Sequence, residues 1–322
     1  MRTLIAALAT AAVASAAMAQ PTPPIASTEI SADGPGGTLK GTWRSPGGPN
    51  RPVMLFIPGS GPTDRDGNNP LGVAGIPYGK LMNALAREGI ITVAVDKRGQ
   101  FGSAGAAFGP EGPTIAAYAA DMKAWIRQIR SETAAPCVWL SGHSEGVLVA
   151  LVTAQDAEGV CGLVLISGPG RRLSDVIREQ IKSNPANPPE VVTQAETALS
   201  ALERGQKIDV SGFHPALQPL FNPGVQGFLI SLFAYDPVDL LKAYKGPVLL
   251  VHGTTDIQIS NADAWRLADA RADLSLVVLD GMNHVMRRAP ADRVANAATY
   301  ADAPVFPGLA ANIASFIKSK SR

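Results

Sequence analysis

The chain has 322 residues, 46% of them hydrophobic and 17% charged, with 28 basic and 27 acidic side chains. That content buries a sizeable core, in one large domain or a domain with an insertion, and excludes a disordered chain. So even a charge balance argues against nucleic acid or an anionic surface as a partner.

Residues 1–19 read as a secretory signal peptide. Arg2 gives a positive start, residues 4–13 an apolar stretch, and Ala17-Met18-Ala19 a small-residue cleavage site before Gln20. The apolar run is too short for a membrane anchor, and no later segment is long and apolar enough to span a bilayer. The implied location is periplasmic or secreted. Removal of Arg2 with the signal leaves 27 residues of each sign. Residues 21–25 form a Pro-rich leader.

Polar and apolar residues alternate over 27–30 and 38–44 around Asp33-Gly34-Pro35-Gly36-Gly37, which predicts a hairpin. Residues 53–57, Val-Met-Leu-Phe-Ile, predict a fully buried strand. A helix is expected over 78–89, with Leu81, Leu85 and Ala86 on one face and Gly89 as its stop. A buried strand follows at 90–95. The turn Asp96-Lys97-Arg98-Gly99 after it is given a structural role, packing under the active site and fixing loops. Thr114 is placed to cap a helix running to 131, in which Ile115, Ala119, Met122, Ile126 and Ile129 recur at core spacing. Strands are expected from 138 and over 160–166, 247–252 and 274–279, and helices over 261–271 and 309–318. This alternation predicts an α/β fold: a mostly parallel eight-stranded sheet with helices on both faces.

One interval breaks the rhythm. Residues 169–245 hold no convincing buried strand, but carry amphipathic helical patterns at 174–182 and 190–204, a Pro-rich break at 185–189 and an apolar cluster at 228–233. A connection this long needs structure of its own. It is expected to be a helical cap inserted after the sixth strand, between core segments 20–168 and 246–322, with Phe228, Leu229 and Phe233 facing a substrate pocket. Two cysteines, Cys137 and Cys161, begin adjacent predicted strands. They are either bridged or two buried thiols acting as small hydrophobes.

The chemistry concentrates at residues 138–150, where an apolar strand runs into Gly142-His143-Ser144-Glu145-Gly146 and then into a helical pattern. A G-x-S-x-G turn between strand and helix holds its serine in a strained conformation, and side chains two residues to either side would collide. A serine hydroxyl needs a base. Asp256 and His284 each follow a predicted strand, in the order Ser, Asp, His. Of the four histidines, His143 lies inside the turn pointing away from the nucleophile, His252 ends a strand and His214 lies in a polar stretch, which leaves His284. Two backbone N–H groups must stabilise the oxyanion. Glu145 supplies one, and Ser60 of the Gly59-Ser60-Gly61 loop the other, with Gly61 as the alternative.

These motifs resemble those of the α/β-hydrolase superfamily, and within it the bacterial esterase and serine-aminopeptidase-like group. The resemblance rests on residues 57–67 (I-P-G-S-G-P-T-D-R-D-G), Asp96-Lys97-Arg98-Gly99, the elbow, residues 247–258 and Asn283-His284. It implies a serine hydrolase that cleaves carboxylic esters of a small-molecule substrate through an acyl-enzyme intermediate, with an aminopeptidase acting on amides or a thioesterase as alternatives on the same triad, and with no metal or organic cofactor. It also implies that Asp64-Arg65-Asp66 braces the rim of the site. An acid facing a substrate amine, Glu145 or Asp64, would favour a peptidase over an esterase. A catalytically dead binding protein on the same fold is the remaining alternative.

Overall fold

In the computed structural model the described residues are 25–70, 75–110, 112–156, 158–300 and 304–321. The expected signal peptide and nearly all of the Pro-rich leader lie outside them. The hairpin forms from β1 (Ala26–Gly34) and β2 (Gly37–Ser45), antiparallel and in register throughout. The expected strands follow as β3 (Val53–Ile57), β4 (Ile91–Val95), β5 (Val138–His143), β6 (Val160–Ile166), β7 (Val248–Gly253) and β8 (Ser275–Leu279), of which β8, at the edge of the sheet, is half-buried with Val278 exposed. They assemble into one eight-stranded sheet ordered β1-β2-β4-β3-β5-β6-β7-β8. β2 joins β4 antiparallel, and every pairing from β4 onward is parallel. Strands such as β3 and β4 are buried at all five positions because helices cover both faces.

The helices between strands are α1 (Tyr78–Arg87), α2 (Ile115–Thr133) and α3 (Glu145–Thr153). Thr114 caps α2 as expected, its hydroxyl accepting from Ala117 N at 3.0 Å. Two cores result. One face of the sheet packs Leu55, Leu140 and Leu165 against Trp125, Ile126 and Val147, and the other packs Phe56, Val164 and Val251 against Tyr78, Leu81 and Ile317.

Between β6 and β7 the chain forms α4 (Leu173–Ser183), α5 (Pro189–Glu203), α6 (Gln218–Phe221), α7 (Pro223–Phe233) and α8 (Pro237–Ala243). The patterns of α4 and α5 were legible, whereas α7 is too uniformly apolar to show a helical stripe. α7 leans on α2: Ser231 Oγ accepts from Ile115 N at 3.0 Å, satisfying an orphan donor of the α2 N-terminus, and the Phe228 ring meets Tyr118 edge-on at 6.1 Å. α9 (Asn261–Ala270), α10 (Arg293–Ala298) and α11 (Leu309–Lys320) complete the chain. Among the described residues no helix is long and apolar enough to cross a membrane.

Cys137 and Cys161 are disulfide-bonded, with Cα atoms 5.0 Å apart. The β5–β6 register explains how. Val138 pairs with Val160 and Trp139 with Gly162, so Cys161 is an extra residue, a bulge that leaves it unpaired in the ladder. The bridge sits at the amino ends of the strands, the far edge from Ser144. It closes a separation of 24 residues, which constrains the unfolded chain by about 3 kcal/mol. Reduction, or Cys137→Ala with Cys161→Ala, should therefore lower the melting temperature by several degrees while leaving the rate on a small activated ester unchanged. Thermal melts with and without reductant measure it, and identical melts would contradict it.

Candidate active site

Ser144 sits between β5 and α3 with φ +56° and ψ −121°, a left-handed conformation that a side-chain-bearing residue adopts only under constraint. The glycines explain how the turn closes. A Cβ on Gly142 would lie 2.2 Å from Gly146 O, and one on Gly146 would lie 2.4 Å from Ile57 O. Both contacts are impossible, so the turn admits only glycine there. Its outcome is a serine at the carboxyl edge of the sheet, with the first amide of α3, that of Glu145, beside it.

The loops after β7 and β8 bring the other two residues to it. His284 Nε2 lies 3.1 Å from Ser144 Oγ, and His284 Nδ1 lies 2.9 Å from Asp256 Oδ2. The second carboxylate oxygen, Oδ1, accepts from Gln258 N at 2.8 Å and Ile259 N at 2.9 Å. Burial alone pushes this carboxyl up, but the adjacent imidazole and the hydrogen bonds outweigh it, so Asp256 stays below the usual carboxylate range and is ionised. An ionised Asp256 accepts from Nδ1–H, leaving Nε2 free to accept from the serine hydroxyl.

The Gly59-Ser60 loop lies across the elbow from these groups and is held by side chains at several points. Gly59 N donates to Tyr78 Oη at 3.1 Å, and Gly59 O accepts from Lys97 Nζ at 2.8 Å. Ser60 Oγ donates to Glu145 Oε2 at 2.7 Å, so the two residues expected to supply oxyanion donors are also tied by their side chains. The neighbouring run is braced as well. Asp64 accepts from Asp66 N and Asn68 N at 2.9 and 2.8 Å, Asp96 accepts from Arg65 N at 2.9 Å, and Asp66 pairs with Arg44. Asp96 of the Asp-Lys-Arg-Gly turn therefore fixes this loop, and Arg98 pairs with Asp121 beneath it.

His143 is not a base and does not turn its back on the site. Its ring is buried 4.9 Å from that of His284, and its Nε2 contacts His284 O at 2.8 Å while Nδ1 contacts Tyr78 Oη at 2.8 Å. A carbonyl only accepts, so Nε2 carries the hydrogen and Nδ1 accepts from the tyrosine. Burial and the neighbouring His284 push the His143 pKa down to about 3. His252 is also buried, and burial lowers its pKa.

The cleft beside Ser144 has a volume of about 190 Å³ and is lined by Thr63, Asn69, Ile76, Gln258, Val285 and Tyr300, together with the groups described above. The structure does not bring Phe228, Leu229 and Phe233 there. Leu229 and Phe233 are buried in the main core, and Phe228 is half-buried against Tyr118. The apolar run that suggested a pocket wall is instead the face by which α7 packs on the body of the protein.

The family model described as Serine aminopeptidase, S33, matches residues 76–187. No curated protein matches the chain in sequence. In solved structures the chain is similar to the Pyrococcus furiosus esterase Pf2001, at 16% identity and a TM-score of 0.59 over 92% of this chain and 91% of that one. It is also similar to Est1E from Butyrivibrio proteoclasticus, at 15% identity and a TM-score of 0.57 over 91% and 98%. A third likeness is to the alpha/beta hydrolase GrgF from Penicillium sp. sh18, at 13% identity and a TM-score of 0.55 over 80% and 91%. These likenesses show that the chain has the α/β-hydrolase fold. The matched stretch includes the elbow but ends before Asp256 and His284, so those two join the site through the hydrogen bonds above rather than through the sequence match.

The neutral state of His143 predicts an acid sensitivity. Its folded pKa of about 3 lies below the ordinary 6.5, so between those values the unfolded chain binds a proton that the folded ring refuses. The stability contributed by the neutral ring is present above the unfolded value and is lost as pH falls toward 3, by at most about 1.4 kcal/mol per pH unit. Urea unfolding between pH 7 and 4 should show a shallower decline in His143→Gln than in the native protein. Parallel declines would show that His143 is not the linked group.

Proposed function

We propose that this chain is an α/β hydrolase, a serine hydrolase that cleaves carboxylic esters through an acyl-enzyme intermediate. The observation that carries the reading is the unbroken chain Ser144 Oγ, His284 Nε2, His284 Nδ1, Asp256 Oδ2, with gaps of 3.1 and 2.9 Å. In this reading Ser144 attacks the ester carbonyl as His284 takes its proton. Asp256 holds the imidazole in the required tautomer and stabilises the imidazolium. The N–H groups of Ser60 and Glu145 receive the oxyanion, the latter at the positive end of α3. The imidazolium then protonates the departing alcohol, and a water activated by His284 releases the acid and restores Ser144.

An ester is favoured over an aminoacyl amide because both acids considered for a substrate amine are engaged. Glu145 is 3% exposed and accepts from Ser60 Oγ, and Asp64 is occupied by its own loop. The small cleft, with polar groups on Thr63, Asn69, Gln258 and Tyr300, favours a short acyl group. The helices of 169–245 are proposed to act as a cap that shapes access from outside the cleft. Export is proposed from the signal-like residues 1–19 and is supported by the disulfide, which persists in oxidising compartments.

Ser144→Ala should reduce turnover by roughly 10³-fold or more and abolish fluorophosphonate labelling, with an unchanged melting temperature. Asp256→Asn should be nearly as severe, because an amide at that position favours the wrong histidine tautomer. Retention of most activity in purified Ser144→Ala would remove the mechanism. For acyl length, kcat/KM on p-nitrophenyl esters should fall by about tenfold or more from butyrate to decanoate, since a small pocket excludes the longer chain. A preference for decanoate would show that the acyl group lies elsewhere.

A further inference from the structure

Lys97 is the member of the Asp-Lys-Arg-Gly turn that a loop-bracing role does not explain. Asp96 and Arg98 hold neighbouring segments, whereas Lys97 is 8% exposed and sends its amine to one acceptor, Gly59 O, at 2.8 Å. That carbonyl belongs to the same peptide unit as the Ser60 N–H. In a trans peptide, and no peptide bond in the described chain is cis, the C=O and the following N–H point in opposite directions. The ammonium therefore sits at the negative end of this amide dipole, and the positive end, Ser60 N–H, faces the other way. A charge-assisted hydrogen bond at the oxygen draws electron density from the nitrogen and makes the N–H a stronger donor.

We propose that Lys97 is a positioning residue that strengthens Ser60 N–H as an oxyanion donor, by polarising and fixing the Gly59–Ser60 peptide from behind. The inference rests on the serine-hydrolase reading above. The surroundings support it. Gly59 N–H is held by Tyr78 Oη, so both backbone groups of Gly59 are anchored by buried side chains and the peptide plane has little freedom to rotate. Glu145, whose side chain holds Ser60 Oγ, acts electrostatically on Lys97 and supports its charge against the burial that lowers its pKa. A Cβ on Gly59 would lie 3.2 Å from Ser144 Cβ, so this peptide runs directly beside the nucleophile. A buried cation is costly unless it is paired or does work. A lysine needed only to hold a loop is replaceable by any neutral donor of similar reach, and that difference makes the role testable.

The experiment uses the full chain with Lys97→Met, which removes donor and charge, and Lys97→Gln, which keeps a donor without charge. Two ligands are compared on each protein. A trifluoromethyl ketone adds to Ser144 and places an oxyanion in the hole, whereas the carboxylic acid product binds without forming one. Lys97→Met should weaken the ketone by about tenfold or more and lower kcat in proportion, with KM and product affinity within about twofold. Lys97→Gln should recover only part of the loss. Ketone affinity in Lys97→Met equal to the native value overturns the proposal, as does full recovery in Lys97→Gln, which would reduce Lys97 to a loop support. Should Lys97→Met fail to fold, Lys97→Gln decides: native ketone affinity and kcat overturn the proposal, and a threefold or greater loss in both supports it. Native protein that neither reacts with fluorophosphonate nor binds the ketone would instead overturn the serine-hydrolase reading, a failure seen before any variant is made.

Discussion

The arrangement depends on one backbone conformation. Ser144 is held at φ +56° between a strand and a helix packed so closely, on each other at Gly142 and against Ile57 of β3 at Gly146, that neither glycine tolerates a Cβ. A residue in that region is strained by roughly 1–3 kcal/mol, and the surrounding sheet must over-determine it. β5 is the strand that can do so. It lies between β3 and β6 at the centre of the order, buried at all six positions, with α3 packed back across the same core. The strain is thus placed on a strand held on both sides by the sheet, and the loops that carry Ser60, Asp256 and His284 assemble around it.

Most of this was legible in the sequence for a physical reason. β3 to β6 are short and almost uniformly apolar, and each ends in a turn whose residue types are dictated by geometry, so the strands and the groups at their carboxyl ends appear together. The same logic located Asp256 and His284, whose hydrogen bonds to each other and to Ser144 are present in the structure. The helices of 169–245 were harder. α7, with Phe228, Leu229, Ile230, Leu232 and Phe233, is apolar around most of its circumference, and composition alone does not tell a pocket wall from a packing face. The structure assigns it to packing, because its neighbours include α2 and α5, and Ser231 closes the N-terminus of α2.

The particular bonds made by His143, Tyr78 and Lys97 are not legible in the sequence, although the turn holding Lys97 is expected under the site, and the reason is general. Each acts on a backbone atom of another loop: His284 O, Gly59 N and Gly59 O respectively. Backbone acceptors and donors exist at every residue, so no pattern of side-chain types records such a bond. A weak signal was available in Lys97, a lysine two residues past a fully buried strand, where a charged group is expensive without a partner. Tyr78 carried none, since it reads as one more apolar position of α1.

The chain of bonds through His143 also has a direction, which explains why that ring must remain neutral. Gly59 N–H donates to Tyr78 Oη, Tyr78 O–H donates to His143 Nδ1, and His143 Nε2–H donates to His284 O. Each member has one role, so the Gly59-Ser60 loop and the loop bearing His284 are joined by three hydrogen bonds that admit only this orientation. A proton on Nδ1 would set two donors against each other, and Tyr78 would then have to turn its own hydrogen elsewhere in a site where it is fully buried. Burial and the nearby His284 push the His143 pKa down to about 3, so the ring stays uncharged at neutral pH. Because an imidazole has a distinct donor and acceptor on opposite sides of a rigid ring, it spans the gap between Tyr78 and the His284 backbone in a way that no amide or hydroxyl side chain reproduces with both atoms in line.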